Sequence, residues 1–155
     1  MSPENYFIGK TAETISTLIT KQCEIILTRN GVQVPVKSCS IIVTLHRLDG
    51  LSLNEIARET DSSPQLIKQK LPKLLKLSLI KHEDDASDKR RRLFFLTDKG
   101  KLQVEKILET FQELERSLDR LNKHLGFSLP EKLEEIKRAL TEVPLHSDGK
   151  HSIKQ

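Results

Sequence analysis

Two helix-start signals only eleven residues apart constrain this 155-residue chain more than any other feature in it. Ser52-Leu53-Asn54-Glu55 has the form of a capping box, in which hydroxyl and carboxylate satisfy each other's orphan backbone donors, and it leads into Ile56, Ala57 and Arg58. Beyond Thr60-Asp61, the pair Ser62-Ser63 places a hydroxyl cap directly before Pro64 at a first helical position. A second start so close to the first leaves room for one short helix, a tight turn and another helix. In that second helix Ile67, Leu71, Leu74 and Leu75 form one stripe, and Lys68, Lys70, Lys73 and Lys76 are spread among them with no acid between. The spacing predicts a helix-turn-helix whose second member is purely basic.

The flanks complete the pattern. From about Tyr6 to Asn30 apolar residues recur at helical spacing, with Gly31 as C-cap. A second helix runs from Pro35 to Asp49-Gly50 through Val36, Cys39, Ile42, Val43, Leu45 and Leu48. After the basic helix the period changes: Leu79 to His82 and Arg91 to Leu96 read as strands flanking a charged tip, Glu83 to Arg90. Thr97 caps a long helix in which Val104, Ile107, Phe111, Leu114, Leu118, Leu121 and Leu125 alternate spacings of three and four, a heptad seam. Gly126 closes it, and Ser128-Leu129-Pro130-Glu131 opens a last helix with Leu133, Ile136 and Leu140. The expected class is mainly α with a small β-hairpin wing: a winged helix-turn-helix between N- and C-terminal dimerisation helices. The expected organisation is 1–34 for the first dimerisation helix, 35–98 for the winged unit, 99–143 for the C-terminal helices and 144–155 for a disordered tail.

Composition narrows the function. With 36 % apolar and 31 % charged residues the chain can bury a core and is expected to fold. A net charge of +4 and a pI near 9.1 suit an acidic partner, so the distribution of charge matters. Met1 to Lys10 holds no apolar run of signal-peptide length and nothing approaches a membrane span, which predicts a cytoplasmic protein. No nucleophile motif, phosphate-cradling glycine loop or paired carboxylates occur, so no enzyme and no cofactor are expected. His46, His82, His124, Glu83, Asp84 and Asp85 lack the close spacing with which a helix presents two ligands to one metal ion.

In a winged helix-turn-helix the second helix of the turn enters the major groove, so exposed residues near its N-terminus must reach base edges. Here these are Ser62, Ser63, Gln65, Lys68 and Gln69, with Lys73 and Lys76 nearer the backbone. Gln pairs bidentately with adenine and Lys reaches guanine, while hydroxyls and a helix N-terminus suit phosphate oxygens. From Asn30-Gly31-Val32 through Leu79-Ile80, and above all in Asp88-Lys89-Arg90 before Leu93-Phe94-Phe95-Leu96-Thr97-Asp98-Lys99-Gly100, the chain resembles the MarR family of transcription regulators. The resemblance implies that Asp88 orients Arg90, which enters the minor groove, where an Arg reads width and potential. Lys89 belongs to the same cluster, and Arg91 and Arg92 are expected to clamp phosphate. It also implies a homodimer through the terminal helices, expected here to use Ile8, Ile15, Ile107, Phe111, Leu114, Leu118, Leu121, Leu133, Ile136 and Leu140. The expected partners are double-stranded DNA carrying a pseudo-palindrome, a second copy of the chain and a small-molecule effector; by analogy with the family the activity is repression.

Two positions depart from the family pattern. Gly is usual where this chain has Ser78, and Pro72 lies inside the basic helix. A mid-helix proline removes the bond to the Lys68 carbonyl and costs about 3 kcal/mol unless the helix kinks, so a bend away from DNA is expected there. An alternative reading follows from it: a winged-helix interaction module that docks an acidic protein partner. Lys70 falls at a partly buried position, its charge snorkelling outward. Cys23 and Cys39 sit at apolar-periodic positions and read as small buried hydrophobes; the other reading, a peroxide-sensing thiol as in one branch of the family, needs a lowered pKa and access.

Overall fold

A computed structural model describes residues 6–146. The elements are α1 (Ile8–Arg29), a short 3-10 turn (Val36–Ser38), α2 (Cys39–Arg47), α3 (Leu53–Glu59), α4 (Pro64–Lys76), β1 (Ile80–Asp84), β2 (Arg92–Leu96), α5 (Asp98–Leu125) and α6 (Leu129–Glu142). The expected disordered tail, 144–155, lies outside the described residues from position 147 onward. Among the described residues no helix is long and apolar enough to cross a membrane.

The capping box is present as read. Ser52 Oγ accepts from Glu55 N, and Glu55 Oε2 accepts from Ser52 N at 2.8 Å. At α4, Ser63 Oγ accepts from Leu66 N with Pro64 in the first turn. The C-termini share a device that periodicity does not reveal. In α1, α3 and α4 the amide two residues past the cap reaches back five positions (Val32 to Leu27, Ser62 to Ala57, Leu79 to Leu74), and the amide before it reaches back three. This is the Schellman pattern, which requires one residue in the left-handed region. Those residues are Gly31 at φ +75°, Asp61 at +49° and Ser78 at +57°. The glycine usual at position 78 therefore has a conformational cause, and this chain places a serine in its backbone geometry.

β1 and β2 pair antiparallel, from Ile80 opposite Leu96 to Asp84 opposite Arg92. Leu51 exchanges two backbone hydrogen bonds with Phe94, an isolated bridge beside the two-stranded sheet. α4 runs from Pro64 to Lys76 as one helix with Pro72 inside it.

The described residues form two compact units, the first ending at Gln112 and the second beginning at Glu113. The boundary falls inside α5 and not at 98/99, because Leu27 of α1 and Val104 and Ile107 of α5 join Ile41, Ile42, Leu45, Ile56, Ile67 and Leu74 in one core. Ile107 is completely buried there, which corrects its assignment to a dimer seam: it has no surface left to offer a partner. Polar groups tie the α1–α2 connection to α5. Gln103, almost fully buried, accepts from Gln33 N at 2.6 Å and donates to Gly31 O, and Thr110 accepts from Asn30 Nδ2. Thr97 caps α5 as expected: its Oγ1 accepts from Gly100 N and donates to Ser78 O at 2.6 Å.

In the second unit α6 begins at Leu129 without a capping bond from Ser128. Asn122 takes that role, its Oδ1 accepting from Leu129 N at 2.9 Å. Leu121, Leu133, Ile136 and Leu140 are exposed and Leu114 and Leu118 half-buried; in the first unit Ile8, Ile15 and Phe111 are exposed.

Candidate nucleic-acid interface

The basic helix is held by its buried stripe, Ile67, Leu71 and Leu74, and by the Ser63 cap, which together turn Gln65, Leu66, Lys68, Gln69, Pro72, Lys73 and Lys76 outward. The α3–α4 turn is closed by the Ala57 carbonyl accepting from Ser62 N. Ser62 is half-buried and its hydroxyl donates to Thr60 O at 3.2 Å. Its proton therefore serves the turn, a correction to its expected role at phosphate; Ser63, whose oxygen caps the helix, stays exposed. Lys70 is partly buried and donates to Lys37 O at 2.6 Å, fastening α4 to the 3-10 turn, and burial followed by the Lys37 charge lowers its pKa.

The wing presents its own cations. Asp88 Oδ1 accepts from the Arg90 backbone N at 3.0 Å, and its carbonyl accepts from Arg91 N at 2.9 Å. Asp88 thus acts on Arg90 through the backbone turn. Lys89, Arg90 and Arg92 are exposed. Arg91 differs, and its expected phosphate contact is corrected: its guanidinium pairs with Glu55 of α3 and, at 3.6 Å, with Asp85 of the wing. Two carboxylates hold the guanidinium at the surface, between α3 and the wing.

The pairing shifts the ionisation of these groups. The backbone amide of Ser52 and then the Arg91 guanidinium push the Glu55 carboxyl down to about 2. The amide and hydroxyl of Ser87 hold Asp85 below the usual carboxylate range, with a smaller contribution from Arg91. Arg91 is raised in turn, first by its bond to Glu55.

Between α3, α4 and the wing lies an open cleft of about 560 Å³, bordered by Asn54, Lys68, Pro72, His82, Arg90 and Arg92. The lysine of the helix and the arginines of the wing, predicted from separate stretches, thus face one groove. Sequence reasoning did not assign Asn54, His82 or the exposed Leu66 to this surface. Asn54 stands third in the capping box, and the only signal that could have placed it here is the approach of the wing to α3, which is tertiary. His82 packs edge-on to Phe94 with ring centroids 6.1 Å apart.

Burial disfavours the thiolate at both cysteines. Burial pushes Cys39 up to about 11, aided by Cys23, and burial also raises the half-buried Cys23. Among the described residues no cluster of three or more His, Cys, Asp or Glu side chains could hold a metal ion.

No protein-family model matches the sequence, and no curated protein matches it. Solved structures do. Overoxidized AbfR bound to DNA is 28 % identical and superposes with a TM-score of 0.57 over 76 % of this chain and 95 % of that one. AbsC, a MarR family transcriptional regulator from Streptomyces coelicolor, is 21 % identical with a TM-score of 0.64, covering 92 % of this chain and 93 % of its own. The transcriptional repressor CouR bound to a 23-mer DNA duplex is 20 % identical with a TM-score of 0.66, covering 92 % and 96 %.

Proposed function

We propose that this chain, which has the winged-helix fold of MarR family transcription regulators, is a sequence-preferring double-stranded DNA-binding regulator. The observation that carries the reading is the shared cleft: Lys68 of α4 and Arg90 and Arg92 of the wing border one groove. Gln65, Gln69 and Lys68 read base edges, Ser63, Lys73, Lys89 and Arg92 meet phosphates, and Arg90 enters the minor groove. AbfR and CouR, both solved on DNA, support the same use of this fold. A homodimer places two such readers about 34 Å apart on a pseudo-palindrome, and occupancy of an operator represses by occlusion. A small-molecule effector regulates it by altering the spacing of the heads.

Fluorescence anisotropy of the full chain on a selected-oligonucleotide pool and on random duplex, at two salt concentrations, tests this. The selected site is expected to bind about a thousandfold tighter or more, with a steep salt dependence. Arg90→Ala should flatten the log-affinity against log-salt slope by about one, and Gln65→Ala should cost more on the selected site than on random DNA. No duplex affinity at low salt would overturn the reading in favour of a module that docks an acidic protein.

A further inference from the structure

The proposed DNA reading leaves one wing cation without a partner in the groove, and the structure shows where its charge goes. Arg91 sits between Glu55 and Asp85, which belong to different elements. Glu55 is held from behind, because its other oxygen accepts from the Ser52 amide that begins α3. Asp85 is held too: its Oδ1 accepts from Ser87 N at 2.9 Å and from Ser87 Oγ at 2.7 Å, and its own amide donates to Arg91 O at 2.8 Å. The Arg91 amide donates to Asp88 O, and the Asp88 carboxylate accepts from Arg90 N. An unbroken series of polar contacts therefore runs from the first turn of α3 to the backbone of Arg90.

We propose that Arg91 is a positioning residue: pinned between Glu55 and Asp85, it fixes the wing tip on α3 so that Arg90 is presented in one pose. Both adjacent arginines border the cleft, but only Arg91 is bonded to the protein's own acids, which leaves the Arg90 side chain for the groove. A hairpin tip of seven charged or small residues has little apolar contact to order it, and a guanidinium bonded to two carboxylates supplies that order. Pre-organisation lowers the cost of ordering Arg90 on binding and adds no phosphate contact of its own. The DNA part of this inference rests on the proposed function; the fixing of the wing does not.

Glu55→Gln separates the possibilities, since glutamine keeps the capping box while the charge on Arg91's partner is lost. In the DNA-free protein, hydrogen exchange should show the Asp85 and Arg91 amides losing protection about tenfold, with the amides of α3 unchanged. Unchanged protection at the wing would overturn the proposal whether or not the chain binds DNA. On the selected duplex Glu55→Gln should lower affinity about tenfold with the salt slope unaltered. Arg91→Ala should do the same, whereas Arg90→Ala flattens the slope. Tighter binding by Glu55→Gln, or a slope reduced by one in Arg91→Ala, would make Arg91 a phosphate contact released from its carboxylate and would also overturn it. Failure of the wild-type chain to bind any duplex counts against the proposed function alone.

Discussion

Two residues, Ser78 and Gly100, show how much backbone geometry decides at single positions. Ser78 occupies the left-handed turn that ends α4, where a side chain costs about 1 kcal/mol relative to glycine. Gly100 has the opposite situation. Its backbone is helical, yet a Cβ there would fall inside the Leu79 carbonyl and within 3.2 Å of Leu96 Cδ2, because the first turn of α5 packs directly on the strand entry. Ser78→Gly is expected to stabilise the chain by about 1 kcal/mol. Gly100→Ala should destabilise it by about 3 kcal/mol, since backbone and not a flexible side chain blocks the methyl. Urea midpoints of the two variants at neutral pH would check both signs. The Leu-Thr-x-x-Gly signature thereby acquires a mechanism: Thr97 bonds Ser78 O and caps α5, and Gly100 lets the helix close on Leu79.

At the scale of elements, the capping box of α3 carries more than a helix start. Glu55 bonds the Ser52 amide and Arg91 at once, and its carboxyl is held at about 2 against an ordinary 4.5. A depressed carboxylate contributes stability that is fully present above its unfolded pKa and is lost as pH falls toward its folded one. Wild-type thermal stability should therefore fall between about pH 5 and pH 2 by more than that of Glu55→Gln. The variant should be the less stable at pH 7 and should converge with the wild type near pH 2. Calorimetric or circular-dichroism melts across that range would check it; parallel curves would show that Glu55 contributes nothing through its charge. Helix starts were legible because Ser, Pro and Glu at fixed offsets act within one turn of chain. The Schellman ends at Asp61 and Ser78 were less so, since neither residue advertises a left-handed backbone as Gly31 does.

For the whole molecule, the exposed apolar residues are the outstanding feature. Ile8 and Ile15 on α1, Phe111 in the first half of α5, and Leu133, Ile136 and Leu140 on α6 each lie between 40 and 57 % exposed. Apolar side chains repeated along a helix face and left open to water mark a surface that another chain covers, and the proposed homodimer supplies one. Ile15→Glu and Ile136→Glu should each shift sedimentation velocity from dimer to monomer with helicity retained. Both should also weaken binding to a two-half-site duplex far more than to a single half-site. Dimers persisting in both variants would assign these faces to something other than self-association. Ile107 belongs to no such test, because its side chain is buried in the intramolecular core, whereas Phe111 one turn further on is exposed.

Local chemistry was enough for the order of elements, the caps at Ser52, Ser63 and Thr97 and the basic character of α4, because periodicity, capping and turn formation act over a few residues. The helix that contains Pro72 is held by the buried contacts that Ile67, Leu71 and Leu74 make with other elements of the fold. Which cations face outward was decided only in three dimensions. Arg90, Arg91 and Arg92 are chemically alike and adjacent, and nothing in their spacing distinguishes them. Arg91 alone meets Glu55, a residue 36 positions away, when the wing folds onto α3. Likewise Val104 and Ile107 were separated from the rest of the heptad by the core they share with Leu27 of α1 and Ile41 and Ile42 of α2, not by any property of their own stretch of sequence. Contacts between distant segments depend on how the elements pack, and a linear pattern carries no record of that packing.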